Sequence, residues 1–176
     1  MKYLGNIDHY LGIKFDRDGD GIFHLNQKHF IIDKLVEFGL QGAKTSKIPL
    51  DPEYFKIKER VPRMESNKLY LKGIGSLLYL ATNTCPDILA AVSILAQRTK
   101  EPRAADWNEV KRVFRYMKGT ADWKLKLGEK SNARTTLECF VDSDWAGYNT
   151  DLKSRTGYVL NIKTVLFRGT VKSKAM

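Results

Sequence analysis

The chain has 176 residues, of which 43% are hydrophobic and 28% charged, a composition typical of an ordinary folded domain. No run approaches the roughly 18 apolar residues of a membrane span, and Gly5, Asp8 and His9 interrupt the segment that a signal peptide would keep apolar. We therefore expect an intracellular protein, in the cytoplasm or the nucleus, with no membrane partner. The formal charge of +10, with an isoelectric point near 9.6, attracts polyanions and indicates a nucleic-acid partner, unless the basic surface only keeps the chain soluble.

The first forty residues are predicted to form two strands and a helix. In "YLGIKFDRDGDGIFHLNQ" apolar residues alternate on both sides of a centre rich in Asp and Gly, which is typical of a hairpin. Asn26 can cap a helix that ends at Gly39. Three prolines break any regular element between residues 47 and 63, so we expect that segment to be a connection outside the core.

Two mostly buried helices should follow this connection. "SNKLYLKGIGSLLYLATN" begins at Ser66, and its leucines indicate packing on more than one side. "TCPDILAAVSILAQRT" starts again with Thr84 or Cys85 as the cap and Pro86 near the first helical position, where its missing N–H does no harm.

The next segment, "AADWNEVKRVFRYMKGT", predicts a helix with one apolar and one basic face. The apolar stripe at spacing i, i+3, i+4, i+7 consists of Val110, Val113, Phe114 and Met117. The cations that fall opposite are Lys111, Arg112, Arg115 and Lys118. This basic face is a candidate contact for phosphate groups.

From Trp123 onward the period changes to two, which predicts an antiparallel sheet. The four expected strands are "WKLKLG", "TLECFVDS", "GYVLNI" and "TVLFRG". The change near residue 120 is the only plausible domain boundary, so we expect one region over 1–120 and another over 121–176.

Several smaller patterns favour structural roles. Residues 16–27 begin like a calcium-binding loop, but its twelfth position is Gln27 rather than Glu and the flanking segments alternate like strands, so we predict a hairpin turn. The three histidines lack metal-ligand spacing. Cys85 and Cys139 are far apart in apolar surroundings, which indicates small buried thiols rather than a disulfide or a metal pair.

Two carboxylates, Asp142 and Asp144, lie two residues apart at the end of an apolar run. On a strand they would point to one side, where paired acids could hold a divalent cation such as Mg²⁺. The alternative is an acidic strand exit with Trp145 covering the sheet edge. Asp151 is the only other acid that follows, so spacing alone favours the second interpretation.

A series of ordered motifs carries a family resemblance over nearly the whole chain. The segments are "YLGNIDHYLGIKF", "GIFHLNQKHFIIDKLVEFGL", "IPLD", "GSLLYLATNTCPDILAAVSILAQ", "EPRAADWNEVKRVFRYMKGT" and "FVDSDWAGYNTDLKSRTGYVL". They resemble the Pol polyprotein of copia-type long-terminal-repeat retrotransposons, from the late reverse transcriptase into the start of the ribonuclease H domain. The resemblance implies an α+β fold, with a β-hairpin and a helical thumb- or connection-like region over 1–120 and an incomplete antiparallel ribonuclease H-like sheet over 121–176.

The resemblance also bears on catalysis. The family's Tyr-x-Asp-Asp polymerase sequence does not occur here, so we expect no polymerase activity. Asp142 matches the first metal-binding aspartate of the ribonuclease H site, and Asp144 matches a neighbouring acid with no clear catalytic role. The family's other ribonuclease H carboxylates would fall after residue 176, so we expect Asp142 to be an inactive relic, with no cofactor unless another chain completes a Mg²⁺ site.

What remains is affinity for nucleic acid. Such reverse transcriptases contact the backbone of a template–primer duplex along its length. We therefore expect a truncated, non-catalytic Pol fragment that binds an RNA–DNA hybrid or duplex weakly and in a salt-dependent way. The expected contacts are Lys111, Arg112, Arg115 and Lys118. Two alternatives stay open: a ribonuclease H or reverse transcriptase part-site completed by another Pol chain, and a host-recruited protein-interaction module.

Overall fold

The computed structural model describes residues 8–56, 61–128, 137–144, 154–162 and 165–174. The fold is α+β, as predicted. The strands are β1 (His9–Tyr10), β2 (Ile13–Arg17), β3 (Phe23–Asn26), β4 (Leu125–Leu127), β5 (Leu137–Asp144), β6 (Ser154–Ile162) and β7 (Val165–Lys174). The helices are α1 (Lys28–Glu37), α2 (Lys68–Asn83), α3 (Leu89–Ala96) and α4 (Ala104–Gly119), with short 3-10 helices at Pro52–Lys56 and Pro86–Ile88.

The predicted hairpin is confirmed. β2 and β3 are antiparallel, with Phe15 opposite Leu25. The Asp18 carboxylate accepts backbone hydrogen bonds from Asp20, at 3.0 Å, and from Ile22, at 2.9 Å, which closes the turn in the manner typical of aspartate. These residues therefore form a strand connection, and the calcium-loop interpretation does not apply.

Both ends of α1 follow from local sequence. The N-cap of α1 is Gln27 rather than the predicted Asn26, which lies one residue earlier. Asn26 still accepts a hydrogen bond from the backbone N–H of Lys28 at 2.7 Å and so satisfies a donor at the helix start. Gly39, with φ +67°, ends the helix: its N–H bonds to the Val36 carbonyl, and the Leu40 N–H bonds to the Leu35 carbonyl. This is a Schellman motif, which needs the left-handed conformation that glycine adopts without strain.

The four helices share one apolar core. The predicted stripe of α4 is confirmed, since Val110, Val113 and Phe114 are fully buried and Met117 nearly so. α2 packs closely on α4 at Gly73, where a Cβ atom would lie 2.9 Å from a methyl group of Val110. Burial of these side chains supplies most of the favourable free energy of folding in this region.

Three expectations about burial were wrong. The proline-rich segment does contribute to the core, because Pro52–Lys56 forms a 3-10 helix that buries Tyr54. Leu69 and Leu78 of α2 are 45% and 37% exposed, although both were expected to pack. Cys139 is exposed rather than buried, whereas Cys85 is half-buried.

The strands fall into two sheets, which the periodicity alone did not predict. β4 pairs with β3 and completes the sheet β1-β2-β3-β4, so "WKLKLG" does not join the later strands. The second sheet has the order β5-β6-β7, with antiparallel pairing throughout. The backbone of β7 approaches α3 and β4. The domain boundary at residue 120 stays a prediction.

Candidate functional site

The basic face of α4 is largely engaged within the chain. The guanidinium of Arg112 donates to Asp51 at 2.6 Å and lies 3.0 Å from a carboxylate oxygen of Glu109, which itself accepts the Asp51 N–H at 2.9 Å. Glu109 is buried and the Arg112 side chain is 24% exposed, so their ion pair is largely shielded from solvent. Arg112 therefore holds the connection after α1 against α4.

The last turn of α4 has the same role. The Lys118 ammonium donates to the carbonyl oxygens of Gln41 and Ala43, at 2.6 and 2.8 Å. The carbonyl of Arg115 accepts a hydrogen bond from the Ser46 N–H at 3.2 Å. The Nε atom of the Arg115 side chain is buried without a hydrogen-bond partner among the described residues. Lys111 is half-buried and has no polar partner in the described part of the chain. Two of the four predicted cations would thus have to give up internal partners to meet a phosphate.

A second basic cluster lies where the first sheet meets α1. Three lysines from distant parts of the sequence surround an open depression of about 220 Å³, which we call the lysine depression. The residues that line it are Lys14, Asp16, Asn26, Lys28, His29, Asp122 and Lys124.

Backbone and side-chain contacts fix the position of each lysine. Lys14 lies on β2 opposite Asn26 of β3. The Asn26 amide donates to the carbonyls of Ala121 and Trp123, at 3.1 and 2.8 Å, and so ties the segment that carries Lys124 to the start of α1. Lys28 is the first residue of that helix.

The depression keeps a positive balance. Asp16 accepts hydrogen bonds from Lys124 and Lys14, both at 2.8 Å, and these bonds lower the pKa of its carboxyl to about 2. The Lys28 ammonium lies 2.5 Å from Asp122. Three ammonium groups thus face two carboxylates, and the first turn of α1 adds the partial positive charge of a helix N-terminus without an acidic residue to offset it.

The chemistry of this surface suits a phosphate group. The side chains of Lys14, Lys28 and Lys124 are each 44 to 45% exposed, and their acidic partners are also reached by solvent. An ion pair at such a surface is worth little, so a phosphate oxygen can replace a carboxylate at small cost. An open depression lined by exposed lysines suits a phosphate backbone better than an enclosed small molecule.

Sequence reasoning missed these lysines. They are separated by up to 110 positions, and only the pairing of β4 with β3 brings them together. The one local signal was the alternation of lysine with apolar residues in "GIKF" and "WKLKLG", which places Lys14 and Lys124 on the polar side of their strands.

The predicted metal ligand is described only as a backbone position. Asp142 lies in β5 opposite Gly157 of β6, and Asp144 lies opposite Arg155. The side chains of Asp142, Asp144 and Arg155 fall outside the description, so the role of Asp142 stays a prediction. Among the residues that the structure describes, no group of three or more His, Cys, Asp or Glu could hold a metal ion.

Comparison with known proteins decides the family. An uncharacterized mitochondrial protein of Arabidopsis thaliana is 35% identical over 158 residues, which are 90% of this chain and 64% of that protein. The retrovirus-related Pol polyprotein from transposon RE2 of the same plant is 32% identical over 160 residues, 91% of this chain and 11% of the polyprotein. The chain belongs to the retrovirus-related Pol polyproteins of transposons.

Another relative of this Pol chain is named as an effector protein. A secreted RxLR effector protein of Plasmopara viticola is 34% identical over 96 residues, 54% of this chain and 66% of the effector. No protein-family model and no solved structure matches the Pol chain. Within the described ranges, none of its helices is long and apolar enough to cross a membrane.

Proposed function

We propose that this chain is the copia-type Pol segment that runs from the late reverse transcriptase into the start of the ribonuclease H domain, and that it binds the backbone of an RNA–DNA hybrid without sequence preference. The observation that carries the binding proposal is the lysine depression, where three exposed ammonium groups converge beside a helix N-terminus. The net charge of +10 adds long-range attraction for the same ligand.

The lysine depression is a better phosphate site than the basic face of α4. Releasing Arg112 would leave the buried carboxylate of Glu109 without its cation, which costs free energy. Among the described residues, Lys14, Lys28 and Lys124 pair only with carboxylates that solvent reaches. The predicted set of Lys111, Arg112, Arg115 and Lys118 therefore becomes a secondary contact in this proposal.

A binding experiment with two variant sets separates these surfaces. Fluorescence anisotropy would measure the affinity for an RNA–DNA hybrid at about 50 mM salt. We expect Lys14→Gln, Lys28→Gln and Lys124→Gln together to weaken binding at least about tenfold, because binding releases fewer counterions from the nucleic acid when phosphate contacts are lost. The matched control is Lys44→Gln, Lys47→Gln and Lys100→Gln together, which removes the same number of charges from exposed positions elsewhere. An equal loss in both sets would show that total charge, not the lysine depression, determines affinity.

We propose further that these 176 residues do not by themselves hydrolyse RNA at Asp142. A two-metal hydrolytic site needs several carboxylates in a fixed arrangement, and one aspartate does not supply it. Incubation of the chain with Mg²⁺ and an RNA–DNA hybrid should leave the RNA intact. Cleavage that disappears in Asp142→Ala would refute this part of the proposal.

A second candidate function is a host-recruited protein-interaction module. The observation that favours it is the identity with the Plasmopara viticola effector, which shows that a related sequence occurs in a protein named as a secreted effector. A saturable complex with a protein partner that survives 200 mM salt, in a chain that does not bind nucleic acid at 50 mM, would favour this second candidate.

A further inference from the structure

The solvent side of α2 carries an apolar stripe. Leu71 and Leu78 are 46% and 37% exposed, and Gly75 and Thr82 between and beyond them are exposed as well. Their successive spacings of four, three and four residues are the spacing of a coiled-coil seam. Because the opposite side of the same helix is buried in the core, α2 has two apolar sides and only one of them is covered by the described residues.

The stripe is shaped to receive a helix like itself. A Cβ atom at Gly75 would meet no described atom within 4 Å, so the helix surface has an open notch there. Leu71 lies four residues before this notch and Leu78 three residues after it. In an antiparallel pair with its two-fold axis near Gly75, Leu71 of each copy meets Leu78 of the other across the notch.

The charges of α2 favour the same orientation. Lys68 and Lys72 lie near its N-terminus, where the helix dipole disfavours cations, and its first turn has no acidic residue. Its last turn has no basic residue to offset the negative end of the dipole. An antiparallel neighbour brings Lys68 beside the C-terminal turn of the other copy, near Thr82. The lysine charge then lies next to the negative end of the neighbouring helix dipole, and each dipole end meets one of opposite sign.

We propose that this stripe is a self-association surface, on which α2 packs antiparallel against α2 of a second copy of the chain. A helix of 16 residues is about 24 Å long, so one helix pair buries less than the roughly 1,200 Å² of a stable interface. The dimer is therefore weak, with a dissociation constant of roughly 10 to 100 µM. The proposal does not depend on nucleic-acid binding.

Sedimentation equilibrium tests it, with protein from about 5 to 500 µM and no nucleic acid present. The wild-type chain should dimerise, and Leu71→Glu with Leu78→Glu should raise the dissociation constant at least about tenfold. The matched control is Ile32→Glu with Val36→Glu, which places the same charges at exposed apolar positions of α1 and should leave the dimer unchanged. Monomeric wild-type protein at 500 µM, or equal loss in both variants, would overturn the proposal.

Cysteine cross-linking tests the orientation and does not rely on the glutamate variants. In a Cys139→Ser background, Leu71→Cys and Leu78→Cys chains should cross-link when mixed and much less when each is oxidised alone. Efficient cross-linking of Leu71→Cys with itself would require a parallel pair and contradict the proposed geometry.

Discussion

Buried polar contacts at single residues attach the proline-rich connection to the helical core. Tyr54 and Asp106 are both only 6% exposed, and the Tyr54 hydroxyl donates to Asp106 at 2.6 Å. The same carboxylate accepts the Arg103 N–H at 2.7 Å, at the start of α4. Burial, and then the bond to Asp106, raise the pKa of Tyr54 well above its ordinary range, so the hydroxyl remains a donor at neutral pH.

Replacement of Tyr54 by Phe should therefore destabilise the fold. The change leaves an oxygen of Asp106 buried without its donor, and we expect the free energy of unfolding to fall by about 2 kcal/mol. Urea denaturation monitored by circular dichroism would measure it. Tyr10→Phe is the matched control, because Tyr10 is 60% exposed, and its effect should stay within about 0.5 kcal/mol. Equal stability of the two variants would mean that the Tyr54 bond contributes nothing.

Asp16 should make stability depend on acid pH. Hydrogen bonds from Lys124 and then Lys14 lower its folded pKa from the model-compound value of 3.8 to about 2. A depressed carboxyl pKa stabilises the fold above the unfolded pKa, and this contribution is lost as the pH falls from about 4 through 2. Because the ion pairs of Asp16 are reached by solvent, melting temperatures of the wild-type chain and Asp16→Asn should differ only slightly at pH 5, and they should converge towards pH 2. A difference that does not change with pH would contradict the assignment.

At the scale of elements, close helix contacts depend on particular glycines. A Cβ atom at Gly73 would lie 2.9 Å from Val110 and 3.0 Å from Trp107, whereas one at Gly75, two residues further along α2, would meet nothing within 4 Å. The two positions share a helix and differ in what they face. Substitutions at these two glycines therefore distinguish the effect of helix packing on stability from the effect of helix propensity.

Alanine at each glycine should have opposite effects. Gly73→Ala forces α2 and α4 apart or displaces Trp107, and should cost about 1 to 3 kcal/mol. Gly75→Ala gains helix propensity at an open position and should stabilise by up to about 1 kcal/mol. Thermal or urea denaturation of both variants would measure these changes in the free energy of unfolding. Stabilisation by Gly73→Ala would show that the helices have room to spare at this contact.

At the scale of the whole molecule, the sequence predicted what depends on near neighbours. The turn at Asp18, the Schellman motif at Gly39 and the buried stripe of α4 each follow from residues within a few positions of one another. The α+β fold follows from the same local patterns and from the family resemblance.

Contacts between distant residues were not predictable in this way. Arg112 was assigned to a free basic face because its partner Asp51 lies 61 positions earlier, in a segment expected to stay outside the core. The lysine depression was missed because β4 pairs with β3 across about 100 residues. Periodicity gives the face on which a side chain lies, but it does not give the element that will cover that face.

The salt dependence of binding to an RNA–DNA hybrid shows whether the lysine depression contacts phosphate groups. Anisotropy titrations from about 50 to 200 mM salt should give a logarithm of affinity that falls linearly with the logarithm of salt concentration. The combined Lys14→Gln, Lys28→Gln and Lys124→Gln variant should flatten that slope by about 2 to 3, because three phosphate contacts are lost. A chain that fails to bind at 50 mM, or a slope that the three substitutions leave unchanged, would contradict the account.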